Sequence, residues 1–286
     1  VLFDLQTPRR RRVVRVVFGA LALVFAISFV FLGVGTGGGG FSFSDLFGGG
    51  SSSSAATAFD DDIKTAEQQL VVNPNDPATL ARLVQLHYSA ANANTDSNGV
   101  PTSDGEQQLR QAADTWNKYV KASKGNLQAA PAVYALNTFD LLARLDFSTA
   151  RTDTSSTEAL TDINSAVSDW KSAGQAQQTL IEKQPKKATS NSYATLAQYL
   201  YLAGDAQGGN RAAAQAKAVK GADAATIDSQ LKSVQQLGQQ LQTAITQLTK
   251  QQQQTQGATG GATGGATGGG NPLGGLGLGG SGTGGL

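Results

Sequence analysis

The sequence predicts an all-α protein, in which one transmembrane helix precedes a domain of stacked helical hairpins closed by a long C-terminal helix. Three observations carry this expectation. A 19-residue apolar run, Val16 to Val34, follows a cluster of arginines. The middle of the chain, Ala55 to Gln254, is rich in the helix formers Ala, Leu and Gln, with Pro confined to a few breaks. Within it, apolar residues recur at the i, i+3, i+4, i+7 spacing of one helix face, between turn-forming residues.

The N-terminus, residues 1–15, holds five of the 22 basic residues (Arg9, Arg10, Arg11, Arg12 and Arg15) against Asp4 as its single acid. At a rise of about 1.5 Å per residue, the run 16–34 spans roughly 29 Å, the thickness of the hydrocarbon core. A cleaved signal peptide is the rival reading. Its apolar stretch is usually about 7 to 15 residues, and here Phe29, Phe31 and Leu32 fill the place where small residues would be needed. An uncleaved anchor fits better. Arginines beside a spanning helix are retained in the cytoplasm, which orients the bulk of the chain outward, and the same arginines can meet lipid headgroups. The expected location is therefore the cytoplasmic membrane, with a single pass and an extracytoplasmic C-terminal domain.

Residues 35–54 are dominated by Gly and Ser and read as a tether, in which Phe41, Phe43, Leu46 and Phe47 are apolar enough to touch the membrane surface. Residues 255–286 repeat Gly-Ala-Thr-Gly and continue with Gly, Leu and Ser; such a composition cannot build a core and reads as a disordered tail.

The folded domain, 55–254, opens with a helix near Phe59 to Val72 whose Asp60, Asp61 and Asp62 suit the positive end of the helix dipole. Asn73-Pro74 stops it. Pro77 starts a second helix with Leu80, Leu83, Val84, His87 and Tyr88 on one face. After a polar loop, Asn92 to Gly105, a third helix carries Leu109, Ala112, Ala113, Trp116 and Val120. The pattern recurs over Ala132 to Leu145 (Val133, Leu136, Leu141, Leu145) and Thr157 to Lys183 (Ile163, Val167, Trp170, Ala173, Leu180), ended by Pro185. A third pair has Tyr193, Leu196, Ala197 and Leu200, the turn Gly204-Asp205, and then Ala212, Ala216 and Val219. The last helix, Ala222 to about Gln254, has the stripe Ile227, Leu231, Val234, Leu241, Ile245 and Leu248, interrupted at Gly238. A cap on the exposed end of a solenoid explains this stripe, and a coiled-coil dimer is the alternative.

Several of these features resemble tetratricopeptide (TPR) repeats. They are the run Asn73-Pro74-Asn75-Asp76-Pro77 followed by Leu80, Leu83 and Tyr88, the turn Gly204-Asp205 after Tyr193, Leu196 and Tyr201, and the spacing of Ala173, Gln177, Leu180 and Pro185. The resemblance covers about residues 59 to 220. It departs from the pattern in the long early loops and in Val84 and Ala197, which stand where the repeats usually have Gly. It implies a TPR-like helical-hairpin solenoid with a C-terminal capping helix, whose first helices line a peptide-binding concave side. Arg82, Gln85, Asn137, Gln198 and Tyr201 are then the candidate contacts for a protein or peptide partner, while Leu83, Leu136 and Leu196 hold the stack.

The chain is poor in reactive groups. Cys is absent and His87 is the sole His, so thiol chemistry and a zinc site lack ligands, and the Ser and Thr residues have no paired base. The Gly-rich stretches lack the Lys-Ser or Lys-Thr of a phosphate loop. Beyond the arginine cluster the chain has 17 basic and 20 acidic residues, which argues against nucleic acid as a partner. No enzyme, cofactor, metal or small-molecule substrate is expected. The layout resembles bacterial translocon-associated and envelope-assembly proteins, which implies a scaffold or chaperone-like adaptor; a structural envelope protein with a wall-contacting tail is the alternative.

Overall fold

The computed structural model describes residues 59–258. Arg9 to Arg12, Arg15, the expected transmembrane helix 16–34, the tether 35–54 and the tail beyond Ala258 lie outside these residues. Among the described residues no helix is long and apolar enough to cross a membrane.

The described residues form eight α-helices and no strand: α1 Asp60–Val72, α2 Pro77–Ala93, α3 Ser103–Ala122, α4 Ala129–Thr152, α5 Ser156–Lys183, α6 Ser190–Leu202, α7 Ala206–Ala218 and α8 Ala224–Ala258. A 3-10 turn, Pro185–Lys187, separates α5 from α6. The chain is thus all-α here, as its composition predicts. The helix starts follow local chemistry. Pro77 occupies the first turn of α2, where its missing N–H costs nothing, and the Asp76 carboxylate accepts from the Thr79 N–H at 2.8 Å. Thr102, Ser155, Thr189 and Asp205 cap α3, α5, α6 and α7 in the same way. The loop between α2 and α3 folds around Asp96, which accepts from the Asn98 and Val100 N–H groups.

Consecutive helices pack as hairpins: α2 with α3, α4 with α5, and α6 with α7. The main core lies between the first two pairs and contains Leu80, Val84, Leu109, Trp116, Tyr119, Phe139, Leu142, Phe147, Ile163 and Trp170. Each such side chain contributes on the order of 1.5–3 kcal/mol by leaving water. A second cluster joins Leu196, Ala197 and Tyr201 of α6 to Ala212 and Ala216 of α7, and a third holds α1 on α2 through Phe59, Ile63, Ala66, Leu83 and Ala90.

Three details differ from the sequence expectation. In α4 the buried face runs through Ala132, Ala135, Phe139, Leu142, Ala143 and Phe147, while Val133 is 41% exposed. Alanine lets helices approach closely, so the face is set by small residues rather than by the large aliphatic ones. In α3, Tyr119 takes the buried position expected for Val120. The third difference is α8, which does more than cover one end. Ile227 and Leu231 join the second cluster, whereas Leu241, Ala244 and Leu248 enter the main core, so this one helix closes both. It runs back along α5 until Gln251 lies 3.3 Å from the Ser156 hydroxyl.

Candidate functional site

Three first helices, α2, α4 and α6, carry the residues singled out from the sequence. On α2 the main core takes Leu80 and Val84 and α1 takes Leu83, which leaves Arg82 and Gln85 exposed. Arg82 reaches back to α1, its guanidinium 2.7 Å from the Asp62 carboxylate. This gives Asp62 a second partner besides the helix dipole and occupies the arginine within the chain. One turn beyond Gln85, Tyr88 meets Tyr134 of α4 with ring centroids 5.7 Å apart. Tyr134 then precedes the half-buried Asn137 by one turn.

From Asn137 the polar line continues to Asp140. Its carboxylate accepts from the Arg144 Nε–H at 2.8 Å and from the Tyr199 hydroxyl of α6. This side-chain link joins α6 to α4, while the backbone of α6 packs on α5. Burial outweighs the guanidinium and holds the Asp140 carboxyl above the usual carboxylate range, and burial likewise raises the Tyr199 hydroxyl, which favours their shared hydrogen bond. Gln198 is the residue before Tyr199 and is half-buried.

The candidates therefore divide. Gln85, Asn137 and Gln198, one on each first helix, make no hydrogen bond within the described residues, and their amides reach solvent. Arg82 is occupied. Tyr201, expected as a partner contact, is 5% exposed and belongs to the second core. Its ring lies over Gly209, where an added Cβ would come within 2.5 Å, and its hydroxyl donates to Asn210 Oδ1 at 2.8 Å. The reading from sequence set Tyr201 on the open face because a tyrosine suits either environment; the Gly209 opposite was the available signal for burial.

His87 is buried and its Nδ1 lies 2.8 Å from Gln108 Oε1. A carbonyl oxygen only accepts, so the ring proton sits on Nδ1. Burial pushes this imidazole below its usual value, and it ties α2 to α3 as a neutral ring. Among the described residues, no group of three or more His, Asp or Glu is arranged to hold a metal ion.

One polar constellation escaped the sequence reading. Asp146 lies on α4 and Asp153 is the residue just past its end, seven positions later; on the adjoining α5, Asp162 and Asp169 are two turns apart. The visible signal was this seven-residue spacing on both arms of one hairpin. No known protein family, curated protein or solved structure matches the chain.

Proposed function

We infer that the chain is a membrane-anchored, TPR-like scaffold or adaptor that presents the α2, α4 and α6 face to a protein or peptide on the extracytoplasmic side of the cytoplasmic membrane. The observation that carries this reading is the contrast along that face. Arg82, Asp140, Arg144 and Tyr199 are bonded within the fold, whereas Gln85, Asn137 and Gln198 keep free amides. An amide both donates and accepts, which suits the backbone of an extended segment. The arginines ahead of the apolar run support the membrane placement through the charge rule for spanning helices.

Affinity capture with the full chain from detergent-solubilised membranes tests the reading. The variant carrying Gln85→Ala, Asn137→Ala and Gln198→Ala should keep its helicity and melting temperature, because such positions usually shift stability by under about 0.5 kcal/mol, and should lose the captured partner. Full retention by the folded variant rejects the face. Retention in the cell wall that depends on the tail, with no protein partner, would favour the structural-envelope alternative. Protease added outside spheroplasts should digest the chain after Gly35; a protected domain rejects the topology.

A further inference from the structure

Helices of alternating direction give the domain two edges. Phe59, just before α1, shares a cluster with Ala90 in the last turn of α2; Arg110 in the second turn of α3 reaches Asp146 toward the end of α4; and Ser156 at the start of α5 meets Gln251 toward the end of α8. These contacts place the starts of α1, α3, α5 and α7, with the ends of α2, α4, α6 and α8, on one edge. The opposite edge gathers the other ends and starts. There the Gln128 N–H donates to the Tyr119 hydroxyl at 2.9 Å, and the Ser190 hydroxyl donates to the Ala216 carbonyl at 2.9 Å.

Charge is divided between the two edges. First turns on the first edge carry Asp60, Asp61, Asp62, Asp104, Glu106 and Glu158, whereas no first turn on the opposite edge holds an acid. That opposite edge holds Lys121, Lys124, Lys183, Lys186, Lys187 and Lys220, all exposed and in no ion pair among the described residues. The acids near them are engaged: Asp76 accepts from Thr79, Glu182 from Gln178, Asp223 from Thr226 and Asp228 from Lys217. Helix dipoles do not explain the division. Each edge has both starts and ends, so complementing the dipoles would give the two edges the same composition. The lysine edge is also where apolar side chains are left in water. Val71 and Val72 end α1 at 83% and 87% exposed, and Val120 in the last turn of α3 and Val133 near the start of α4 are exposed as well.

We propose that this edge is a membrane-docking surface, whose lysines meet the phosphates of anionic lipid headgroups while its exposed valines enter the interface. A cationic rim with apolar side chains beside it is the combination that binds a charged bilayer. A lysine lays its apolar stem along such a surface and keeps the ammonium at headgroup level. A soluble polyanion would satisfy the lysines and offer nothing to the valines, which is why a bilayer is the better occupant. The inference adds a second attachment to the proposed membrane placement. It is argued from this edge alone and does not rest on the α2, α4 and α6 face.

The test mixes the full chain with vesicles of phosphatidylcholine, or of phosphatidylcholine and phosphatidylglycerol in equal parts, acetylates the accessible lysines and maps them by mass spectrometry. The six edge lysines should label several-fold more slowly on the anionic vesicles, while Lys64 and Lys250, away from this edge, label alike on both. Salt at about 0.5 M should erase the protection by screening. Replacing Lys183, Lys186 and Lys187 with Gln should weaken attachment about five-fold per charge. Val71→Ser with Val72→Ser, at positions too exposed to disturb the fold, should restore part of the labelling. Equal labelling on the two vesicles, or protection that extends equally to Lys64 and Lys250, would overturn the docking edge. So would protection by an oligonucleotide that matches the anionic vesicles and ignores the valine change, because the edge would then take a polyanion rather than a bilayer. Flotation with the neutral vesicles reads the anchor separately: a chain that stays behind rejects the spanning segment and leaves the lysine protection to decide the edge.

Discussion

Gly238 of α8 lies on the carbonyl group of Tyr201 in α6: a Cβ built at Gly238 would overlap the carbonyl oxygen and come within 2.8 Å of the carbonyl carbon. The glycine that interrupts the apolar stripe is thus the crossing point of two helices. With Gly238 included, the stripe of α8 runs Leu231, Val234, Gly238, Leu241, Ile245 and Leu248, each buried or half-buried, in an alternation of three and four residues. Backbone occupies the place a side chain would take, and this close approach lets one helix serve both cores.

Gly238→Ala should therefore destabilise the fold by about 1 to 3 kcal/mol, since the contact is backbone on backbone and can yield only if α8 shifts. Alanine is otherwise the better helix former, by up to about 1 kcal/mol. Thermal melting decides the sign. A variant as stable as the natural chain would mean that α8 does not sit on α6 as described.

The hairpin grammar was legible because its punctuation is local. Asp76-Pro77 and Gly204-Asp205 act through their own backbone within one turn, and they mark the starts of α2 and α7. The faces were legible where bulky residues dominate, as at Leu80, Ile163 and Trp170, and illegible in α4, where alanine faces the core and Val133 faces water. Of the candidate site, Gln85 is exposed and Asn137 and Gln198 are half-buried, but nothing local distinguishes a tyrosine under a glycine, such as Tyr201, from one on a surface. The aspartate cluster needed the register between α4 and α5, which two seven-residue spacings suggest and only packing fixes.

Capping supplies a second prediction. The Thr79 N–H and hydroxyl both donate to Asp76 Oδ2, at 2.8 and 2.6 Å, and the first of these bonds holds its carboxyl below the usual range less than the second. Asp76→Ala removes both bonds and should lower the midpoint of denaturant melting. Asp76→Asn, which can still accept from the N–H, should cost less. Equal losses would show that the cap contributes nothing by hydrogen bonding.

In the second core, Leu196 is 7% exposed, among Ala194, Ala197, Ala212 and Ile227. Leu196→Ala should cost roughly 2 to 5 kcal/mol through the cavity it leaves. Tyr201→Phe should cost about 1 kcal/mol, because it drops the bond to Asn210 and keeps the ring on Gly209. If the tyrosine change proves the larger of the two, the packing assigned to this cluster is wrong.

His87 and Arg110 give opposite responses to acid, which separates them. His87 is held below its ordinary value by burial, so the unfolded chain takes up a proton as pH falls through about 6.5 while the folded one resists, and stability is lost in that window. His87→Gln should flatten this loss. Arg110 acts on the carboxyls instead. Arg110→Met keeps the length of the side chain but leaves the buried Asp146 without its cation, next to Glu106, Asp162 and Asp169. At pH 7.5 this should cost about 2 kcal/mol, less than for a fully buried pair because the Arg110 side chain is 49% exposed. Lowering the pH to 4.5 lets Asp146 and its neighbours take up protons in place of the guanidinium, and the cost should shrink to a small part of its neutral value. Urea melts at the two pH values measure it. A cost that is the same at both would mean that Asp146 stays ionised without its partner, and the burial assigned to its carboxyl could not then be correct.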